Sequence, residues 1–240
     1  EYRLWKGVAL GKQGNKEEER EVYKNTLRRH PGYVPARLYL GHTFLENGPP
    51  EAALAEHSRV LALAPDAGTA LYNLALAYQL LGQPKQEVAA WKEYLLLHRT
   101  GTWAYRAVEH LNELGEFTFR SYQIGFRRII FNQELLLGTD SHARQREIDF
   151  VADSFTQASG NVLNIIVFQA NDITLAGRQA RNLKYSITDN LATATNKSVN
   201  ISWFGQPESV HAASEKQFSL QKGLLIFSSP RVQKAKEKTI

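Results

Sequence analysis

A repeat with a period of about 34 residues in the first half of the chain constrains the fold more than any other feature of the sequence. Gly14, Gly48 and Gly82 are equally spaced, and Pro31 and Pro65 keep the same spacing. Each interval holds two amphipathic stretches, the first ending at a glycine and the second closing at a proline, and both residue types end helices. Helical hairpins of this length stack into a solenoid because one hairpin cannot bury its apolar face alone.

The repeat also carries the residue pattern of a known family. Matching positions are Leu40, Gly41, Phe44, Gly48, Ala53 and Pro65 in the second repeat, and Leu74, Ala75, Tyr78 and Gly82 in the third. The pattern resembles the tetratricopeptide repeat, although Glu19 and Glu87 stand where the family has a small residue, and Arg99 replaces the last proline. The resemblance implies an α-solenoid of three helix pairs in residues 1–116.

A further helix is predicted at residues 101–116, where it would cap the open end of the solenoid. Its expected apolar face consists of Trp103, Ala107, Leu111 and Leu114.

Stacks of this kind usually present the first helix of each pair on a concave surface that binds peptides or protein segments. Counting along the repeat places these residues on that surface: Leu4, Lys12, Leu38, His42, Glu46, Tyr72, Leu76 and Gln79. An alternative stays open for Leu38, Tyr72 and Leu76, which can instead pack between neighbouring helices. The Lys and Asn set with which some repeat proteins clamp a C-terminal carboxylate is not assembled, which argues against a receptor for chaperone tails.

The second half of the chain alternates strands and helices. Strands are predicted at residues 126–133, 163–170, 198–205 and 223–229, and helices at residues 141–157 and 174–191. This β-α-β-α-β-β order predicts a helix layer on one face of a mixed sheet in residues 117–230. A basic tail is predicted at residues 231–240. The two halves together predict a chain that combines an α-solenoid with an α/β domain.

The element order of residues 123–229 resembles the OmpA-like domain of bacterial cell envelopes. Leu175, Ala176, Gln179, Ala180 and Leu183 occupy the family's second-helix signature, and Phe204, Gly205 and Pro207 lie near its later Gly- and Pro-containing region. The resemblance implies a mixed-sheet α/β sandwich and a site for the diaminopimelate of peptidoglycan, in which an Asp meets the ammonium and an Arg meets the carboxylate.

Residues 167–182 would hold that site. Asn171 or Asp172 could fill the role of the Asp, whereas the Arg position is occupied by the neutral Gln179, flanked by Arg178 and Arg181. A neutral amide cannot form the charge-assisted pair with a carboxylate. Two alternatives stay open: Asp172 caps the following helix, and the two arginines belong to an exposed helix face.

Composition narrows the remaining classes of function. The chain has no cysteine, which excludes disulfides, thiolate catalysis and cysteine metal sites, and its seven histidines show no ligand-like pairing. The net charge of +5 is spread thinly, so no nucleic-acid partner is expected, and neither a catalytic motif, a cofactor motif nor a transmembrane stretch is found. A catalytic function nevertheless remains an alternative.

These observations predict a non-enzymatic, periplasmic adaptor of the bacterial cell envelope. Its repeat groove would bind a protein or peptide, and its OmpA-like domain would dock near peptidoglycan or another envelope protein. The alternative is a structural or assembly module of an envelope complex whose OmpA-like domain has lost peptidoglycan binding.

Overall fold

The computed structural model describes residues 2–158, 162–191 and 196–230, and the chain divides into two compact units. The helical unit spans Glu1–Leu114 and the α/β unit spans Gly115–Ile240, so the division falls two residues before the predicted boundary at residue 116. The predicted basic tail at residues 231–240 lies outside the described residues.

Seven consecutive helices make up the described part of the helical unit. They are α1 (Tyr2–Lys12), α2 (Lys16–Arg29), α3 (Val34–Asn47), α4 (Pro50–Leu63), α5 (Gly68–Leu80), α6 (Pro84–Leu97) and α7 (Gly101–Glu113). The three helix pairs that the sequence repeat predicts are confirmed.

The turns between paired helices follow from local chemistry. Gly14 and Gly82 have positive φ angles of 85° and 64°, a conformation that glycine adopts without steric cost. Gly48 instead has a φ of −144°, because the proline that follows it pushes its backbone to the extended region. Each second helix then begins within two residues of these glycines.

The two glutamates that depart from the family pattern are both buried and hydrogen-bonded. Tyr23 Oη donates to Glu19 Oε1 at 3.2 Å, and Trp91 Nε1 donates to Glu87 Oε1 at 3.2 Å. Glu19 and Glu87 are 5% and 4% exposed. A larger acidic residue therefore replaces the small one where the aromatic side chain four residues later carries a polar donor.

The second repeat keeps the small residue, Ala53, and four residues later has His57. This imidazole is fully buried, and neither of its ring nitrogens has a hydrogen-bond partner among the described residues. Its ring lies against Gly41, where an added Cβ would be only 2.7 Å from Nε2. Burial lowers the pKa of His57 to about 4, so the side chain is neutral in the folded protein at neutral pH.

The α/β unit contains more elements than the sequence predicted. It comprises β1 (Phe119–Ile124), β2 (Arg127–Asn132), α8 (Gln133–Leu137), α9 (Ser141–Thr156), β3 (Val162–Gln169), α10 (Ile173–Asn190), β4 (Ser198–Phe204), β5 (Glu208–His211), β6 (Gln217–Leu220) and β7 (Lys222–Ser229). All predicted strands and helices are present within a few residues, whereas β1, α8, β5 and β6 were not predicted.

The central sheet is mixed, as predicted, with the strand order β4-β3-β7. Strand β3 is parallel to β4 and antiparallel to β7, with Val167 opposite Trp203 and Leu224. Alternate β3 residues, Leu163, Ile165 and Val167, are fully buried and share one core with apolar residues of α9 and α10. The helices therefore cover one face of the sheet.

A buried ion pair attaches the β5–β6 hairpin to the rest of the α/β unit. Arg120 on β1 and Glu208 on β5 are 6% and 4% exposed, and two nearly parallel hydrogen bonds of 2.8 and 3.1 Å join their side chains. Such a forked geometry orients both groups as well as binding them.

Candidate functional site

The turn after β3 holds Asn171 and Asp172 by local hydrogen bonds. Asn171 has a positive φ of 63°, and its N–H donates to the Gly205 carbonyl at 2.9 Å, which ties the ends of β3 and β4 together. The Asp172 carboxylate accepts from the N–H of Leu175 at 2.8 Å, so this aspartate caps α10. This is the helix-capping role that the sequence left open as an alternative for Asp172.

The side-chain amide of Gln179 both donates and accepts a hydrogen bond. Its Nε2 donates to the Leu137 carbonyl at 3.2 Å, and its Oε1 accepts from Gln169 Nε2 at 3.0 Å. The side chain thus links α10 to the end of α8 and to the last residue of β3. An arginine here could not accept the bond from Gln169, because a guanidinium has no acceptor.

The two arginines that flank Gln179 project differently. Arg181 lies over the indole ring of Trp203, with its guanidinium carbon 5.4 Å from the ring centroid, whereas Arg178 is exposed. In the part of the chain that the structure describes, the contacts of Asp172, Gln179 and Arg181 run to different neighbours. A shared ligand position for these residues stays a prediction.

A cavity of about 280 Å³ lies next to this region in the α/β unit. Its lining includes Glu116, Gln133, Glu134, Leu137 and Lys222, which come from separate segments of the sequence. Glu116 Oε1 already accepts from Thr118 Oγ1 at 2.6 Å. Sequence reasoning missed this cavity because no motif joins segments so far apart in the chain.

The residues predicted for the repeat groove lie on α1, α3 and α5, and we call the surface formed by α1, α3, α5 and α7 the groove face. Lys12, His42, Glu46 and Gln79 are exposed and Leu38 is half-buried. Tyr72 is only 5% exposed, so for this residue the structure shows packing between helices.

An ion-pair network fixes the side chain of Glu46 on the groove face. Lys16 Nζ lies 2.5 Å from Glu46 Oε2, and His42 Nε2 lies 3.2 Å from Glu46 Oε1. The hydrogen bond between Lys16 and Glu46 raises the pKa of Lys16 and lowers that of Glu46, so both groups keep their charge over a wider pH range.

Helix α7 contributes residues to the groove face that the sequence assigned to a cap. Its buried stripe is Ala104, Ala107, Val108 and Leu111, and the predicted inward residues Trp103 and Leu114 are 56% and 38% exposed. The prediction for these two was wrong because the buried stripe starts one residue later along the helix. Helix α7 directly follows the third helix pair. It therefore lies where the first helix of a fourth pair would be.

Trp103 is held in place although it is exposed. Its ring meets Tyr72 edge to face, with the centroids 4.6 Å apart, and the guanidinium of Arg106 lies 5.7 Å from it. Further along α7, His110 stacks on Trp91 at 4.9 Å, and its Nδ1 lies 3.2 Å from Gln79 Nε2. Burial lowers the pKa of His110.

The described residues offer neither a metal site nor a membrane span. In residues 2–158, 162–191 and 196–230, no group of three or more His, Asp or Glu side chains is placed to hold a metal ion. None of the helices within those ranges has both the length and the apolar character needed to cross a membrane.

Comparison with known proteins gives partial structural similarity only. No family model and no curated protein matches the chain. A solved structure titled MamA RS-1 ArsTM double mutant is 23% identical, with a TM-score of 0.43 over 47% of this chain and 62% of its own. The P58(IPK) TPR domain is 18% identical, with a TM-score of 0.42 over 47% of this chain and 33% of its own.

A tetratricopeptide repeat protein from Parabacteroides merdae is 15% identical, with a TM-score of 0.44 over 78% of this chain and 58% of its own. The chain thus spans less than two thirds of each of these three structures. The helical-repeat architecture of this chain is inferred from its own 34-residue sequence period and from its observed helix pairs.

Proposed function

We propose that this protein is a non-enzymatic adaptor whose helical unit binds an extended segment of a protein partner across the groove face. The observation that carries the proposal is Trp103, a large aromatic side chain that is 56% exposed on α7 yet held by Tyr72 and Arg106. A rigid exposed tryptophan loses little conformational freedom on binding, and tryptophan and arginine are enriched among residues that dominate interface energies.

Neighbouring residues extend this surface along the repeats. Leu80 on α5 is 58% exposed and shares its repeat position with Lys12 and Glu46, because the three are spaced by one repeat length. Leu76, one turn earlier on α5, is half-buried. The exposed apolar side chains of Trp103 and Leu80 and the charged side chain of Glu46 together suit a segment that carries both apolar and polar side chains.

The proposal is tested by selecting peptides from a random library with the full chain and measuring their affinities by fluorescence anisotropy. Trp103→Ala should weaken binding about 30-fold, equivalent to roughly 2 kcal/mol at an interface hot spot. Tyr185→Ala is the control, because Tyr185 is an aromatic residue that is 65% exposed but lies on α10 of the α/β unit and not on the groove face. Its affinity should stay within about twofold of the wild type.

Two outcomes would contradict the proposal. One is a selection in which no peptide sequence is enriched over an unselected library. The other is an equal loss of affinity in Trp103→Ala and Tyr185→Ala, since this would indicate nonspecific adhesion to exposed aromatic rings.

For the α/β unit we infer an OmpA-like assembly module that no longer takes the peptidoglycan stem peptide. Support comes from Asp172, whose carboxylate caps α10, and from Gln179, whose amide bonds Leu137 and Gln169. A ligand would have to compete with these internal bonds, and the neutral amide offers it no charge-assisted pair. The proposed location, the bacterial periplasm, rests on the same OmpA-like resemblance.

Sedimentation with insoluble peptidoglycan tests this second proposal. The wild-type chain and Asp172→Ala should both remain in the supernatant. Retention of the wild type together with loss of retention in Asp172→Ala would show instead that the stem-peptide site works.

A further inference from the structure

A groove between the second helices α2 and α4 combines an excess of positive charge with apolar walls. Its volume is about 450 Å³. It is lined by four basic residues, two acidic residues and two leucines, which are Lys24, Arg28, Arg37, Arg59, Glu21, Glu56, Leu27 and Leu40. We call it the α2–α4 groove.

Each carboxylate of the α2–α4 groove is shared by two cations. Glu56 is 8% exposed and is bound by Arg37, at 2.7 Å, and by Arg59. Glu21 lies 2.9 Å from Lys24 and 3.8 Å from Arg28. One positive charge is therefore in excess on each side of the groove, which gives it a potential that attracts anions.

The arginines also have hydrogen-bond donors to spare. Side chains of Arg28 and Arg59 are 68% and 60% exposed, so most of their N–H groups face solvent. Arg37 Nε is buried and has no acceptor among the described residues, although its other nitrogens bond Glu56 and the Pro31 carbonyl. Buried donors are normally paired, so this one marks a place where an acceptor would be favourable.

We propose that the α2–α4 groove binds an acidic segment of a protein partner. Its carboxylates would lie between Arg28 and Arg59, whose forked guanidinium groups match carboxylate geometry. A neighbouring apolar side chain would pack on the half-buried Leu27, which a small inorganic anion cannot do. Most of its lining lies on the second helices α2 and α4, and only Arg37 and Leu40 come from α3. The site therefore does not depend on the function proposed above, which is carried by Trp103 on α7.

The probe is a fluorescein-labelled, C-terminally amidated peptide, Gly-Glu-Leu-Glu-Leu-Gly, titrated with the full chain at low salt. Its version with glutamine in place of both glutamates should bind about tenfold more weakly, because the charge-assisted hydrogen bonds are lost. Arg28→Gln and Arg59→Gln should each reduce affinity about fivefold or more, whereas Arg178→Gln, an exposed arginine of the α/β unit, should change it less than about twofold.

Both test variants keep the native carboxylates paired, because Glu21 retains Lys24 and Glu56 retains Arg37. Unchanged helical circular dichroism is therefore expected. Arg59→Lys keeps the charge without the fork and should give an intermediate affinity. Equal binding of the glutamine peptide, equal loss in Arg178→Gln, or displacement by inorganic phosphate at the peptide's own concentration would overturn the proposal.

Discussion

His57 should make the stability of the helical unit depend on pH. It is buried in the second repeat, and its ring nitrogens have no hydrogen-bond partner among the described residues. In the unfolded chain the pKa of His57 is close to its ordinary value of 6.5, whereas burial lowers it to about 4 in the folded protein. The unfolded state therefore binds more protons between these values. The contribution to stability is fully present above about pH 6.5 and is lost as pH falls toward 4.

The magnitude follows from the two pKa values. At pH 5 the unfolded state has gained most of its proton and the folded state almost none, which lowers the free energy of unfolding by about 2 kcal/mol relative to pH 7.5. His57→Phe removes this dependence and also removes two unsatisfied buried nitrogens. The variant should be more stable by about 1–2 kcal/mol at pH 7.5 and by about 3–4 kcal/mol at pH 5.

Urea unfolding followed by tryptophan fluorescence measures this difference. A Trp203→Phe background leaves Trp5, Trp91 and Trp103 as reporters, and all three lie in the helical unit. His30→Phe is the control, because His30 is exposed and its replacement should leave the pH dependence unchanged. Parallel pH curves for the wild type and His57→Phe would refute the reasoning.

Two further substitutions test buried polar pairs. Glu87→Ala should destabilise the helical unit by about 1–3 kcal/mol in the same urea assay, because Trp91 Nε1 loses its buried acceptor, whereas Glu87→Gln should cost less than about 1 kcal/mol. Arg120→Met should destabilise the α/β unit by about 3–5 kcal/mol, because it leaves the Glu208 carboxylate buried without its partner. Hydrogen exchange of the β3 amides measures this loss. Adding Glu208→Leu should recover most of that loss, and a double variant as unstable as the single one would contradict this explanation.

Features that depend on neighbouring residues could be predicted from the sequence. The helix pairs follow from turn glycines and prolines that recur once in every repeat, and the capping role of Asp172 involves a partner only three residues away. The central strand was predicted because β3 is apolar along most of its length and that length matches a strand.

Features that depend on distant residues could not be predicted. Strand β1 mixes apolar residues with polar ones, and its Arg120 is buried beside Glu208, 88 residues later, which neutralises it. The role of Gln179 depends likewise on Leu137, 42 residues away. Strands β5 and β6 have four residues each and too few apolar positions for an alternating pattern to stand out.

The central claim, that the groove face binds a protein segment, is tested most directly by chemical-shift mapping. A peptide selected as described above would be titrated into the isotope-labelled full chain. The largest shifts should fall on α3, α5 and α7, including Gln79, Trp103 and His110, and they should vanish in Trp103→Ala. Shifts confined to α2 and α4, or to the α/β unit, would contradict the claim.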